Sequence, residues 1–131
     1  MAYVRREASS EAVAGLLREA VQGELSVFLC VVNLGEVLYN HEHRHGPAAA
    51  GLLLSSLQAL PISVVDADLH LTRAAATLKA SVKGIGKSLS YADCLAAALA
   101  QQLAATLVTG DREFEAVENL VKIEWLDATG R

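Results

Sequence analysis

Apolar residues recur at three- and four-residue spacing through Val13, Leu16, Leu17, Ala20 and Val21, which predicts a helix capped by Ser9 or Ser10 and ended by Gly23. The run from Leu25 to Val32 drops that period and is rich in β-branched residues, so it predicts a buried strand. From Asn33, a cap candidate, Leu34, Val37, Leu38 and His41 share a helical stripe that stops at Gly46-Pro47. Pro47 suits the first turn of another helix carrying Leu52, Leu53, Leu57 and Leu60, and Pro61 closes it.

A strand from Ile62 to Val65 follows, then a helix through about Ala80 for which Asp66 is the expected cap and Asp68 a solvated first-turn residue. Ser81 to Ser90, SVKGIGKSLS, reads as a loop, and Ser90 opens a helix through about Leu103. Thr106 to Thr109 is a compact strand, Gly110-Asp111 a turn, Arg112 to Val117 a short helix and Val121 to Trp125 a last strand. Helix and strand alternate in the manner of βαβ units. That order predicts an α/β domain with a parallel β-sheet covered by helices on both faces. No internal repeat, linker or second domain interrupts residues 1–131.

The chain's 131 residues suit one domain, and folding at that size buries roughly two-thirds of the unfolded chain's surface. With 53% hydrophobic but only 5% aromatic residues, the core must be built of Ala, Leu and Val. Cys94 to Val108, the longest weakly polar stretch, is interrupted by Gln101-Gln102 and falls short of the roughly 20 residues of a membrane span. No leader pattern is visible at the start, so Cys30 and Cys94 are expected as reduced thiols in a cytoplasmic protein. A net charge of −4 supplies no global basic field, and any nucleic acid must be held by a local patch.

Candidate chemistry gathers at one edge. Glu36 lies three residues after the cap candidate Asn33, Asp93 three after Ser90, and Asp111 just past a strand. Crossover helices begin at the C-terminal edge of a parallel sheet, so all three acids are expected on the rim where open α/β folds place their ligands. Clustered carboxylates repel one another unless a hard divalent cation neutralises them. Singly, an acid in the first turn also suits the helix dipole or a capping box, and that structural reading stays open for Glu36 and for Asp93.

VVNLGEVLY at Val31 to Tyr39, SLSYADCLAAALA at Ser88 to Ala100 and LVTGDREF at Leu107 to Phe114 resemble the PIN-domain ribonucleases, particularly the VapC-type toxins of toxin–antitoxin systems. The likeness runs from about Ala8 to the end of the chain, with the acidic motifs in family order. It implies a PIN-like three-layer fold and a metal-dependent endoribonuclease whose pocket binds Mg²⁺ or Mn²⁺. It maps the catalytic and metal-binding acids onto Glu36, Asp93 and Asp111, with Asn33 and Thr109 orienting them. It further implies an RNA substrate, a VapB-like antitoxin and a homodimer; no membrane partner is expected, since no stretch is long and apolar enough to span. A catalytically inactive PIN-like binding module is the alternative.

Family members begin with a central strand ending in an acid, whereas the first Asp of this chain is Asp66. The first, central strand is therefore expected to be missing. The expectation that accompanies this is a natural protein extending upstream of Met1, with weak or no catalysis if the strand is truly absent.

Lys79, Lys83, Lys87 and Arg112 flank the acids in sequence, and Lys87 and Arg112 are candidates for RNA phosphate contact, against the alternative of plain surface solvation. The segment His41-Glu42-His43-Arg44-His45 satisfies the H-E-x-x-H pattern of zinc peptidases. A peptidase needs a third ligand downstream, and the later histidine, His70, has no such pattern around it. His41 and His45 continue the apolar stripe of their helix, so they read as packing, capping or dimer-surface residues.

Overall fold

The computed structural model describes residues 18–126, of which 18–21 are helical. The helix stops where Gly23 takes φ +79°, a backbone conformation that costs a residue with a Cβ. The start of that helix, and the expectation that the first strand of the fold is missing, lie outside the described residues.

Strand β1 is Val27–Cys30 and helix α1 follows it directly as Val31–His45. Two bounds expected from the sequence move here. Val31 and Val32 begin the helix although they are β-branched, and Cys30, not Asn33, is its N-cap. First-turn positions tolerate such side chains because there is no preceding turn for them to crowd. Asn33 is consequently inside the helix and buried, and Glu36 lies in the second turn and not the first.

Gly46, at φ +92°, closes α1 by donating its N–H to the Glu42 carbonyl at 2.7 Å. Pro47 then opens α2, Pro47–Gln58. This is the predicted Gly-then-Pro punctuation, and it folds α2 back along α1 as a helical hairpin. Strand β2, Ile62–Val65, has the bounds read from the sequence. It pairs in parallel with β1, in the register Val27 to Ile62 and Cys30 to Val65.

Helix α3 is Leu69–Gly84. Its cap is Asp68, whose Oδ1 accepts the Leu71 N–H at 2.8 Å, so the expected assignment of the cap to Asp66 shifts by two residues. The helix also takes in residues 81–84, expected as loop, because Val82 is buried and extends the apolar face of Leu71, Ala75 and Leu78. Helix α4, Tyr91–Gln102, starts at the predicted cap Ser90.

Every residue of α4 from Asp93 to Ala100 is buried, so beyond Asp93 this stretch is apolar all round and lies at the heart of the core. Its alanines let neighbours approach closely: α3 packs along it, and α1, β1 and the next strand touch it. That strand, β3, is Leu107–Thr109, followed by a 3-10 helix, Arg112–Val117, and strand β4, Ile123–Trp125. Strands β3 and β4 pair in parallel, Leu107 to Ile123 and Thr109 to Trp125.

Among the described residues the strands form two parallel pairs, β1 with β2 and β3 with β4. The layers are those of a helix-rich α/β fold with short parallel sheets. The shared core runs from Leu29 and Leu34 through α3 and α4 to Phe114 and Val117. No described helix is long and apolar enough to cross a membrane.

Candidate metal centre

Asp93 is positioned by its own helix cap. The Ser90 hydroxyl oxygen accepts the Asp93 N–H at 3.1 Å, which fixes the first turn of α4 and leaves the carboxylate at the helix's positive end. Asp93 is only 4% exposed, an unusual place for an acid unless other groups complete its surroundings.

Asp111 reaches the same place from β3. Buried Thr109, the last residue of that strand, accepts the Asp111 N–H on its hydroxyl oxygen at 3.1 Å. Asp111 in turn caps the 3-10 helix, its Oδ1 accepting the Glu113 N–H at 2.9 Å. This chain of local bonds turns the backbone sharply and carries Glu113 in beside Asp111.

One carboxylate oxygen from each of Asp93, Asp111 and Glu113 lies within 4.8 Å of the other two. Oxygens bound to Mg²⁺ at about 2.1 Å stand at most about 4.2 Å apart, so small side-chain rotations would close the three around an ion. Hard carboxylate donors without sulfur or imidazole suit Mg²⁺ or Mn²⁺. The residues present therefore fit a divalent cation.

The structure thus brings together two of the three expected acids, Asp93 and Asp111, and adds Glu113, which the sequence reading did not single out. A signal for Glu113 was present: an acid two residues after an Asp cap belongs to the same turn as that cap. Glu36 is half-buried on α1 and is not one of the three.

Asn33, one turn before Glu36, does reach the site's framework. Its Nδ2 donates to the Ala92 carbonyl at 3.0 Å, next to Asp93 in the chain. Its Oδ1 is buried with no hydrogen-bond partner, an acceptor left over in the wall formed by α1 and α4.

Of the candidate phosphate contacts, Lys87 is exposed in the segment before α4. Arg112 instead lies with its guanidinium 4.5 Å from the ring centre of Trp125, a cation–π arrangement. Lys79 donates to the Leu89 carbonyl and so braces the segment leading into Ser90. Cys94, beside Asp93, is fully buried. Burial pushes its thiol pKa up, the Asp93 charge adds to that, and Lys79 opposes it. Cys30 and Cys94 are both free.

The PIN-domain model matches residues 1–120. Among solved structures, the chain is similar to one in the VapBC2 complex of Rickettsia felis bound to a promoter DNA fragment, with 18% identity, TM-score 0.72, and coverage of 97% of this chain and 100% of that one. A chain of the DNA-bound VapBC complex of Salmonella typhimurium matches at 20% identity and TM-score 0.71, over 87% of this chain and 83% of that one. A chain of VapBC-5 from Mycobacterium tuberculosis, a toxin–antitoxin complex, matches at 23% identity and TM-score 0.60, over 77% and 81%. At these identities the likeness is one of fold. No curated protein matches the chain significantly.

Proposed function

This chain belongs to the PIN-domain family, and from that premise we propose that it is a metal-dependent endoribonuclease of the VapC type. The observation that carries the reading is the convergence of Asp93, Asp111 and Glu113, from α4 and from the turn after β3, with oxygens within 4.8 Å of one another.

In this reading Asp93 and Asp111 hold Mg²⁺ or Mn²⁺, and Glu113 completes the protein's share of the ligands. The resemblance adds Glu36 of α1 as a further acid acting on substrate or on a water, although it is not one of the three whose oxygens converge. A bound divalent cation supplies charge neutralisation at the phosphoryl oxygens and a more acidic water. Thr109 fixes the backbone of Asp111 by accepting its N–H, and Asn33 fixes α1 against the first turn of α4, so both are positioning residues. Lys87 is exposed at the entrance of α4 and supplies a cation for an RNA phosphate beside an otherwise repulsive acidic site.

The VapBC neighbours support a VapB-like antitoxin as partner, and the resemblance to VapC toxins supports a homodimer. The position of Glu36 outside the trio favours a second reading, a binding module that keeps the fold and its ion but cleaves nothing.

The test is cleavage of a mixed single-stranded RNA with Mg²⁺, with Mn²⁺ and with EDTA, by the wild-type chain, Asp93→Asn and Asp111→Asn. Metal-dependent cleavage lost in both variants is expected. Cleavage unchanged in Asp93→Asn would sink the site assignment. Mn²⁺ binding without cleavage by the wild type would select the binding module.

A further inference from the structure

The histidines of α1 play no part in the acidic site, yet two of them stand together. His41 and His45 are one helical turn apart on the same face, with ring centres 4.7 Å apart and planes inclined at 54°. From this geometry we infer that His41 and His45 form a surface chelate for a borderline transition-metal ion, Zn²⁺ above all, separate from the carboxylate centre.

The bite supports it. Zinc–nitrogen bonds of about 2.0–2.1 Å put each ring centre roughly 3.2 Å from the ion, so two rings bound at right to tetrahedral angles have centres roughly 4.5–5.2 Å apart. The observed 4.7 Å separation of the ring centres falls in that window. Two histidines four apart on a helix are also a spacing that zinc sites use.

The helix explains why imidazoles stand there. Leu34 is buried and Val37 and Leu38 pack against the core, and the same stripe then runs past the core's edge, leaving His41 half-buried and His45 exposed. Both lie toward the C-terminal end of α1, where the helix dipole favours a cation. Imidazole suits Zn²⁺, whereas the carboxylate trio suits harder ions, so the two sites sort metals by ligand chemistry.

The same geometry separates this site from a peptidase. Glu42 lines a neighbouring groove with His43, Tyr39 and Gly35. Among the described residues no third histidine, cysteine or acid joins the pair to make a cluster. The pair alone would hold the ion, with no third side-chain ligand among the described residues.

The experiment is calorimetric titration of the untagged chain with Zn²⁺, alongside His41→Gln, His45→Gln and the double variant Asp93→Asn/Asp111→Asn. Expected is saturable binding at one ion per chain in the wild type and in the acid variant, lost in either histidine variant. The thermal midpoint should rise with Zn²⁺ only where binding survives. Because His45 is exposed, His45→Gln keeps the fold, and unchanged circular dichroism verifies it. Zn²⁺ binding that persists in the histidine variants, or disappears with the aspartates, would overturn the assignment, as would a wild type that binds none.

Discussion

Asn33 of α1 donates its Nδ2 to the carbonyl of Ala92 in α4 at 3.0 Å, joining two segments 59 residues apart in the chain at the residue preceding Asp93. The bond is part-buried and Asn33 itself is wholly inaccessible. The first turn of α4 is therefore held from both sides, by its own cap and by another helix.

Asn33→Leu should accordingly cost about 1–3 kcal/mol of stability, the range for losing a buried hydrogen-bond partner. It should also loosen Mn²⁺ binding, which a merely structural change elsewhere in α1 would not. Denaturant unfolding and metal titration of Asn33→Leu beside Val37→Ala separate the two effects. Equal metal affinity in both variants would remove Asn33 from the positioning role.

Ser90 and Asp68 cap adjacent helices in the same way, each accepting a backbone N–H three residues on. Alanine at either should cost roughly 0.5–2 kcal/mol. Only Ser90→Ala should also weaken metal binding, since Asp93 is the residue its hydroxyl orients. Thermal melts and Mn²⁺ titration of the two variants make the comparison, and parallel losses of metal affinity would contradict it.

Lys87 and Arg112 should separate in RNA binding. Lys87 is exposed, so Lys87→Ala should lower affinity and reduce the salt slope of binding by about 1. Arg112 is committed to the face of Trp125, and Arg112→Ala should cost about 0.5–1 kcal/mol of stability with less effect on RNA. Trp125 is the chain's single tryptophan, so its emission reports the loss of the cation directly. A larger RNA defect in Arg112→Ala than in Lys87→Ala would reverse the assignment.

Cys94 should resist alkylation in the native protein at neutral pH and react once the chain unfolds. Its thiol pKa is raised in the fold by burial, which outweighs the opposing charge of Lys79, with Asp93 adding to the rise, so the protonated form is the one the native state favours. The stability this contributes is fully present below the unfolded thiol's pKa and is lost as pH rises through the folded one. Stability of wild type should therefore fall in alkaline solution more steeply than that of Cys94→Ala. Matching alkaline profiles would show that the thiol is not linked to folding.

The order of elements, the bounds of β2 and the caps Gly46-Pro47 and Ser90 were legible in the sequence, because each rests on neighbours within one or two turns. Periodicity, a hydroxyl three residues before a helical N–H, and a glycine free to take positive φ are local matters. The same locality made Asp93 and Asp111 visible as acids at the ends of their elements. It also misplaced the start of α1, where β-branched Val31 and Val32 read as strand, and the cap of α3.

What only the tertiary structure decided is which side chains meet. Asn33 is not a cap because docking of α1 on α4 buries it and gives its amide a distant carbonyl. Glu113 joins Asp93 because Asp111 curls the chain after β3, while Glu36, also a carboxylate, falls in a second turn and outside the trio. Arg112 rests on Trp125 because the pairing of β3 with β4 brings the two ends together. Each outcome depends on contacts between residues far apart in the chain, and helix and strand periods within one segment carry no information about them.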